Sequence, residues 1–412
     1  MSSPQATGAD AQATGADAQA TGADARATGA EASVRDPAVP ATGRPRVLLA
    51  PVTITPTKPL TPSHLKGLFW TDVALRASRP LAEVTHRSSH TAFDACEQTL
   101  GFWEYLDRTV GDVDYSGLSG DVIGELYMRF RAAGERAPFH ACLPYLEAIE
   151  RHGWVHPASA RLLELWAGQY HRLGLHDPGL TAHQPPRIGL AEMIDRLRRL
   201  GMCLDLRADG GPVFLDATRD GIPLRQIIAA DGRPNYLACA LRDLLPLAPE
   251  HDEVVLLHDR DLEPDYLLLH RVLAGLGPRV HRITLGRVPI DGRVTSARHG
   301  GWQQHGAEAL LDEFGDRHDP AALRLGLRLY FIAVLGPGDH DSFRPELLDR
   351  YLAKARRLLD AAPDAGWSAV RDGLDAHRGA GAAHVDPYRL TAGLLNRRRA
   401  APARELLTEV YT

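Results

Sequence analysis

Residues 50–76 read APVTITPTKPLTPSHLKGLFWTDVALR, and what the chain does across them decides the fold. The short apolar run RVLLAPV, Arg46–Val52, reads as a buried strand because it is brief, continuous and rich in Val and Leu. It leaves through a loop carrying Pro56, Pro59 and Pro62, and a helix over residues 64–78 follows with His64 at its start. A helix start presents unpaired N–H groups and the positive end of the peptide dipole, which suits phosphate. A histidine there can donate hydrogen bonds to developing phosphoryl charge. In a parallel sheet, ligands bind beyond the carboxyl ends of the strands, at loops leading into helices, and this is such a loop.

Working outward, LAEVTH reads as a second strand, and residues 92–200 carry helical patterns punctuated by Gly111, Gly134, Gly153 and Gly174. Strand-like runs return in GMCLDLRA, PVFLDA, EVVLLH and RVHRITL, with helical NYLACALRDLLP and residues 264–275 between the later ones. Strands alternating with helices imply a parallel sheet with crossover helices, here split by a helical insertion. The glycine-rich loop DGRVTSARHGG (291–301) precedes helices near 304–316, 320–334 and 345–361, and the last fifty residues are less regular. The expected organisation is a repeat tail at 1–45, a nucleotide-binding Rossmann-like core from 46–91 and 201–303, and a helical insertion at 92–200. A helical domain at 304–362 and a C-terminal extension at 363–412 complete it.

The tail repeats ATGADAQ-like units, each with a glycine and with no apolar residue larger than alanine, so it is expected to stay disordered rather than form a coiled coil. A net charge of -5 argues against broad nucleic-acid binding, so no DNA partner is expected. No apolar run reaches the length of a membrane span and no secretory h-region opens the chain, which points to a cytoplasmic protein. Cys96, Cys142, Cys203 and Cys239 show no C-x-x-C and read as free thiols. His140, His152 and His156 lack liganding intervals, so no metal site is expected. Only Lys58, Lys66 and Lys354 are lysines, so the 47 basic residues are otherwise arginine.

The stretch at 50–76 resembles the opening of class I aminoacyl-tRNA synthetases, most closely the glutamyl/glutaminyl branch, A-P-S-P-T-G-x-L-H-I-G-H. Thr55-Pro56-Thr57 stands at S-P-T, and Thr61-Pro62-Ser63-His64 at H-I-G-H. Further segments resemble the family in order. YLEAIERHGWVHP (145–157) matches the helix ending in G-x-A-Y, and DGRPNYLACALRDLL (231–245) the amino-acid pocket segment, with Tyr236 and Asp243. VVLLHDRDLEPDYLLLHRVLAGLG (254–277) places Asp261 on a motif aspartate, and DGRVTSARHGG matches the signature loop D-G-x-K-L-S-K-R-x-G. The resemblance covers residues 46–360.

It implies a Rossmann-like α/β fold of class I synthetase type that uses ATP with Mg2+. The implied catalytic residues are His64, Ser296 and Arg298. Thr55, Thr57, Thr61, Ser63, Asp261 and Arg293 are the implied cofactor-binding residues. Arg87, Ser88, Tyr236 and Asp243 are the implied substrate-binding residues.

The departures matter as much. Thr61 and Ser63 replace the first histidine and the glycine of H-I-G-H, and a serine Cβ crowds the place where adenine lies against the backbone. The signature loop reads Val294-Thr295-Ser296-Ala297-Arg298, so its second lysine is gone, which costs about 3–4 kcal/mol of transition-state stabilisation. Arg293, Arg298 or Lys66 is expected to compensate in part. Too little chain follows residue 361 for an anticodon-binding domain.

The expected activity is therefore activation of an amino acid as an adenylate and transfer to a small-molecule or carrier-protein nucleophile in specialised metabolism, with tRNA as a possible further partner. Two alternatives stand beside it. One is an ATP-independent acyltransferase using aminoacyl-tRNA, with Ser63 or Ser88 as nucleophile or His64 as base. The other is a catalytically inactive paralogue that binds a ligand or partner.

Overall fold

The chain is described from a computed structural model covering residues 43–293, 303–396 and 400–412. The repeat tail, Val294–Arg298 and the rest of the signature loop lie outside these residues. β1 (Arg46–Pro51) runs into the proline loop and α1 (Pro62–Ser78), then β2 (Glu83–His86). A helical stretch follows: α2 (His90–Asp94), α3 (Glu97–Thr109), α4 (Gly120–Ala133), α5 (Phe139–His152), α6 (Pro157–Leu173) and α7 (Leu190–Arg199). Its ends follow the glycine punctuation of the sequence, and serine caps that the sequence reading did not single out begin two of the helices. Ser89 and Ser119 cap α2 and α4, and α4, α5 and α6 stop at left-handed Gly134, Gly153 and Gly174.

Next come β3 (Cys203–Asp205), β4 (Val213–Leu215), β5 (Arg225–Ile228), α8 (Tyr236–Leu244), β6 (Glu253–Asp259), α9 (Glu263–Ala274) and β7 (Arg279–Leu285). The main sheet is parallel with order β2-β1-β6-β7, and Val47 lies opposite both Val84 and Glu253. β1 and β6 occupy the centre and are buried along nearly their whole length, as the continuous apolar runs require. The strand-like runs at 203–205 and 213–215 do not join this sheet. With β5 they form a separate antiparallel sheet, β3-β4-β5. Their connections are shorter than the dozen or so residues a parallel crossover needs, so antiparallel pairing is the available solution.

The remainder is helical: α10 (Ala307–Phe314), α11 (Pro320–Arg328) running into a π-helical turn at Leu329–Val334, α12 (Pro345–Ala361), α13 (Trp367–Asp375), α14 (Pro387–Gly393) and α15 (Arg404–Tyr411). The last fifty residues are more ordered than their pattern suggests. Leu407, Val410 and Tyr411 are buried, and the Tyr411 hydroxyl meets Thr391 Oγ1 at 3.2 Å. Among the described residues no helix is long and apolar enough to cross a membrane.

A buried charge network joins α1 to α11. Asp72 accepts from Arg328 Nη2 at 2.6 Å, from Arg76 Nε at 3.1 Å and from the His176 backbone N–H at 2.9 Å. Burial opposes ionisation of Asp72, but the Arg328 and Arg76 charges with these hydrogen bonds win and hold its pKa below the usual value. The folded pKa is depressed, so this stabilisation is complete above the ordinary carboxylate pKa and is lost as pH falls through the folded value. Arg328→Met strips Asp72 of its fully buried partner. It is expected to cost about 3–5 kcal/mol in denaturant unfolding, and an unchanged midpoint would refute this role.

Candidate active site

A cavity of about 420 Å³ opens at the carboxyl ends of β1, β6 and β7. Its walls come from Pro51–Thr55 and Lys58, from Ser63 and His64 on α1, from Gln98 and Tyr236, and from Leu257–Asp259, Asp261, Leu285 and Arg287. The proline loop and the segment after β6, distant in sequence, thus meet on one cleft. Three ties hold them there. Ser63 Oγ accepts from the Val288 N–H at 3.0 Å, Ala307 N–H donates to the Leu60 carbonyl at 2.9 Å, and Lys66 Nζ donates to the Gly286 and Gly338 carbonyls at 3.0 and 2.5 Å.

His64 is placed by the cap of its own helix. Thr61, the N-cap residue, accepts from the His64 backbone N–H, and the Thr61 backbone N–H donates to His64 Nδ1 at 3.2 Å. This is a capping box with histidine in the position usually held by Glu or Gln. Because Nδ1 accepts, the proton of the neutral ring sits on Nε2, leaving a donor on a ring that lines the cleft. Burial, then the charges of Lys58 and Arg287, push the His64 pKa well below the usual histidine range, against an opposing Pro59 carbonyl. The imidazole is therefore neutral at physiological pH.

The cleft also carries ionisable groups. Arg287 pairs with Asp261 at 2.6 Å, and Lys58 lies 5.2 Å from the centre of the Tyr127 ring. Asp259 is pushed up by burial, with Arg287 acting in the opposite direction. Tyr236 is fixed by Thr53, whose N–H and carbonyl both meet its hydroxyl at 3.1 Å, and its ring packs on Phe93.

A smaller cavity of about 30 Å³ shares the walls Pro51–Ile54, Leu68 and Thr71 and is lined further by Asp72, His86, Ser88, His90 and His176. Both ring nitrogens of His86 are buried without a hydrogen-bond partner, and burial beside His176 lowers its pKa to about 3.

Of the residues singled out in the sequence, Thr55, Ser63, His64, Tyr236 and Asp261 line the larger cavity, and Ser88 lines the smaller. Thr61 acts through the cap. Thr57 is fully buried with an unpartnered hydroxyl and lines neither described cavity. Arg87 and Asp243 line neither as well. They clasp each other, with Arg87 Nη2 2.6 Å from Asp243 Oδ1 and Nη1 on Gln184, so both charges are already satisfied. Lys66 cannot replace the missing loop lysine. It is buried, held by two carbonyls, and pushed down to about 8 by burial. Arg293 is exposed at a turn, its backbone bridging Ile290. Ser296 and Arg298 fall outside the described residues. Arg287, Lys58 and Gln98 were missed. The available signal for Arg287 was its position just past the carboxyl end of β7.

No protein-family model matches the chain, and no curated protein matches it in sequence. Solved structures do. Arginyl-tRNA synthetase from Thermus thermophilus superposes with a TM-score of 0.57 over 89% of this chain and 78% of that one, at 16% identity. The fold is of the class I aminoacyl-tRNA synthetase type. The Plasmodium falciparum arginyl-tRNA synthetase gives 0.51 over 77% of this chain and 58% of that one, at 10% identity. Likeness at such identities shows the synthetase fold and does not select a branch, so the glutamyl/glutaminyl resemblance stays with the motifs.

The cap chemistry is directly testable. Thr61→Ala is expected to cost about 1 kcal/mol in equilibrium unfolding, and Thr61→Ser to keep most of it. In a nitrogen-correlated NMR spectrum the His64 ring should show the Nε2–H tautomer and stay neutral as the pH is lowered through the ordinary histidine pKa. A ring that titrates near the ordinary histidine pKa would contradict the placement.

Proposed function

We propose that the protein activates an amino acid with ATP as an aminoacyl-adenylate and passes the acyl group to a small-molecule or carrier-bound nucleophile. The observation that carries this reading is the cleft itself. A neutral N–H donor at a helix start, flanked by Lys58 and Arg287, lies over the carboxyl edge of a class I synthetase-type sheet. Such a place is electrostatically matched to a triphosphate.

In the first step an amino-acid carboxylate oxygen attacks the α-phosphorus, the bond to the bridging oxygen breaks, and pyrophosphate leaves. His64 Nε2–H, the α1 amino end and the cleft cations stabilise charge on the phosphoryl oxygens. In the second step the nucleophile attacks the acyl carbon and AMP departs. Asp261, together with Asp259, faces the cleft where ribose hydroxyls or the Mg2+ carried by the nucleotide would be met, and Tyr236 and Ser88 border the amino-acid side. The chain's division at residues 91, 200, 303 and 362 into core, insertion, helical domain and extension belongs to this proposal.

The geometry argues against the ATP-independent acyltransferase. His64 Nδ1 already accepts from Thr61, and a lowered pKa makes the ring a weak base. Ser63 Oγ is engaged with Val288, and Ser88 Oγ with Thr53 Oγ1 at 3.3 Å. Neither hydroxyl has a histidine partner among the hydrogen bonds of the described residues.

The test is ATP–pyrophosphate exchange across proteinogenic and non-proteinogenic amino acids. Exchange with one amino acid is expected. His64→Gln keeps a capping-box side chain and should fold as the wild type while exchange falls about 100- to 1000-fold. Silence with every amino acid in a folded protein would favour the inactive paralogue.

A further inference from the structure

The amino-terminal edge of the parallel sheet lies at the opposite end of its strands from the cleft, and it carries a cluster that adenylate chemistry does not use. Glu253 opens β6 and is completely buried. His281 is the third residue of the neighbouring β7, and His384 belongs to the loop leading into α14. One ligand atom from each of the three lies within 4.8 Å of the other two.

A buried carboxylate must have its lone pairs answered, about four in all. Three are. Oε2 accepts from the Ala383 N–H at 2.8 Å, and Oε1 accepts from the His384 N–H at 3.1 Å and from its Nδ1 at 2.6 Å. Nε2 of His281 stands 3.3 Å from Oε2, close enough to attract, yet it is buried and not aligned as a hydrogen bond. That spacing matches two donors on one tetrahedral ion, which stand about 3.4 Å apart when each is about 2.1 Å from the metal. The 2.6 Å between Oε1 and His384 Nδ1 is instead a hydrogen bond, so an ion must displace the Nδ1 proton and widen that contact or take His384 through Nε2.

We propose that Glu253, His281 and His384 form a binding site for a first-row transition-metal ion, Zn2+ foremost, which clasps the C-terminal loop to the sheet. A donor set with two imidazoles and one carboxylate selects such ions over Mg2+ and Ca2+, which take oxygen ligands. His281 is 31% exposed although its Nε2 is covered, so the cluster lies near the surface and a shift of that ring would admit an ion with water as a fourth ligand. The backbone N–H groups of Ala383 and His384 hold the carboxylate from behind, as outer-shell donors do in metal sites. One group opposes a dication: the Arg279 guanidinium, 3.6 Å from Oε2. It is largely exposed and also donates to the Gly381 carbonyl, so it can turn away without losing every partner. The clasp would reach α1 as well. Val385 N–H, next to His384, donates to Ser78 Oγ at the end of that helix, and Tyr388 stacks on Trp70.

The experiment uses the full chain stripped with a chelator, titrated with Zn2+ by calorimetry and with Co2+ by visible absorption. The expected result is one ion per chain with a Kd on the order of 1 μM or tighter, and a tetrahedral Co2+ spectrum. His281→Gln leaves the Glu253–His384 hydrogen bonds in place, so its metal-free melting temperature should match that of the wild type. Its Zn2+ affinity should fall by at least about 100-fold, and Zn2+ should raise the melting temperature of the wild type alone. No stoichiometric ion, or one that His281→Gln binds as tightly as the wild type, overturns the proposal. The chain has 19 histidines, so the variant separates this cluster from scattered surface binding. None of these readouts depends on amino-acid activation.

Discussion

The fastening of the first turn of α1 to segments far along the chain is the constraint on which the cleft depends. Ser63 reaches Val288, Leu60 reaches Ala307, and Lys66 reaches Gly286 and Gly338. Each contact closes a long loop, and its entropic cost must be recovered by the packing it organises. Gly286 shows how tight the junction is: a Cβ there would lie 2.7 Å from the carbonyl carbon of Gly338. Placing an ammonium group in this junction is costly, which is why burial drives the Lys66 pKa down. Two carbonyls on different segments offset that cost, and the compact ammonium suits a gap between them better than a planar guanidinium would.

Arginine performs the opposite task elsewhere. Arg328 with Asp72, Arg87 with Asp243, and Arg242 with Glu150 are buried or half-buried pairs joining segments distant in sequence. A guanidinium can satisfy a carboxylate with two bonds and still reach a carbonyl, as Arg328 does with Leu173 and Gly174. Such pairs add little net stability over apolar packing, but breaking one leaves a stranded charge, so they fix which surfaces meet. Of the three lysines, Lys66 meets two carbonyls as a point charge and Lys58 lines the cleft.

The parallel core was legible because β1 and β6 are continuous apolar runs, each followed by a helical pattern, although α1 begins at Pro62 behind the Thr61 cap rather than at His64. Of the expected pocket joining positions 55–64 to 259–298, the meeting of the first segment with Asp259 and Asp261 was legible, since both leave the carboxyl ends of central strands, while Val294–Arg298 lie outside the described residues. The antiparallel β3-β4-β5 sheet was not, because short apolar runs look alike whichever sheet they enter, and only the length of their connections tells them apart. The helices among the described residues of 363–412 were hidden because buried Tyr411 and Leu407 sit on a helix with little surrounding pattern. Arg87 and Asp243 illustrate a different limit. Each reads as a pocket residue until folding shows that the charges cancel each other.

The departures from the synthetase pattern at the start of α1 divide by physical role. In this chain the serine that stands in place of glycine does more than crowd the backbone, because its hydroxyl ties the helix to the exit of β7. Likewise, the threonine in place of the first histidine becomes the cap that orients the retained one. On the proposed reading, both substitutions exchange a direct approach to the nucleotide for a firmer hold on His64. The cations nearest that ring, Lys58 and Arg287, are close enough to depress its pKa, so their field is felt where phosphoryl charge would develop. A neutral donor inside a cationic field can stabilise an anion without reorganising. An imidazolium in the same place would have to repel both cations first, which is why this arrangement favours a hydrogen-bonding His64 over a charged one.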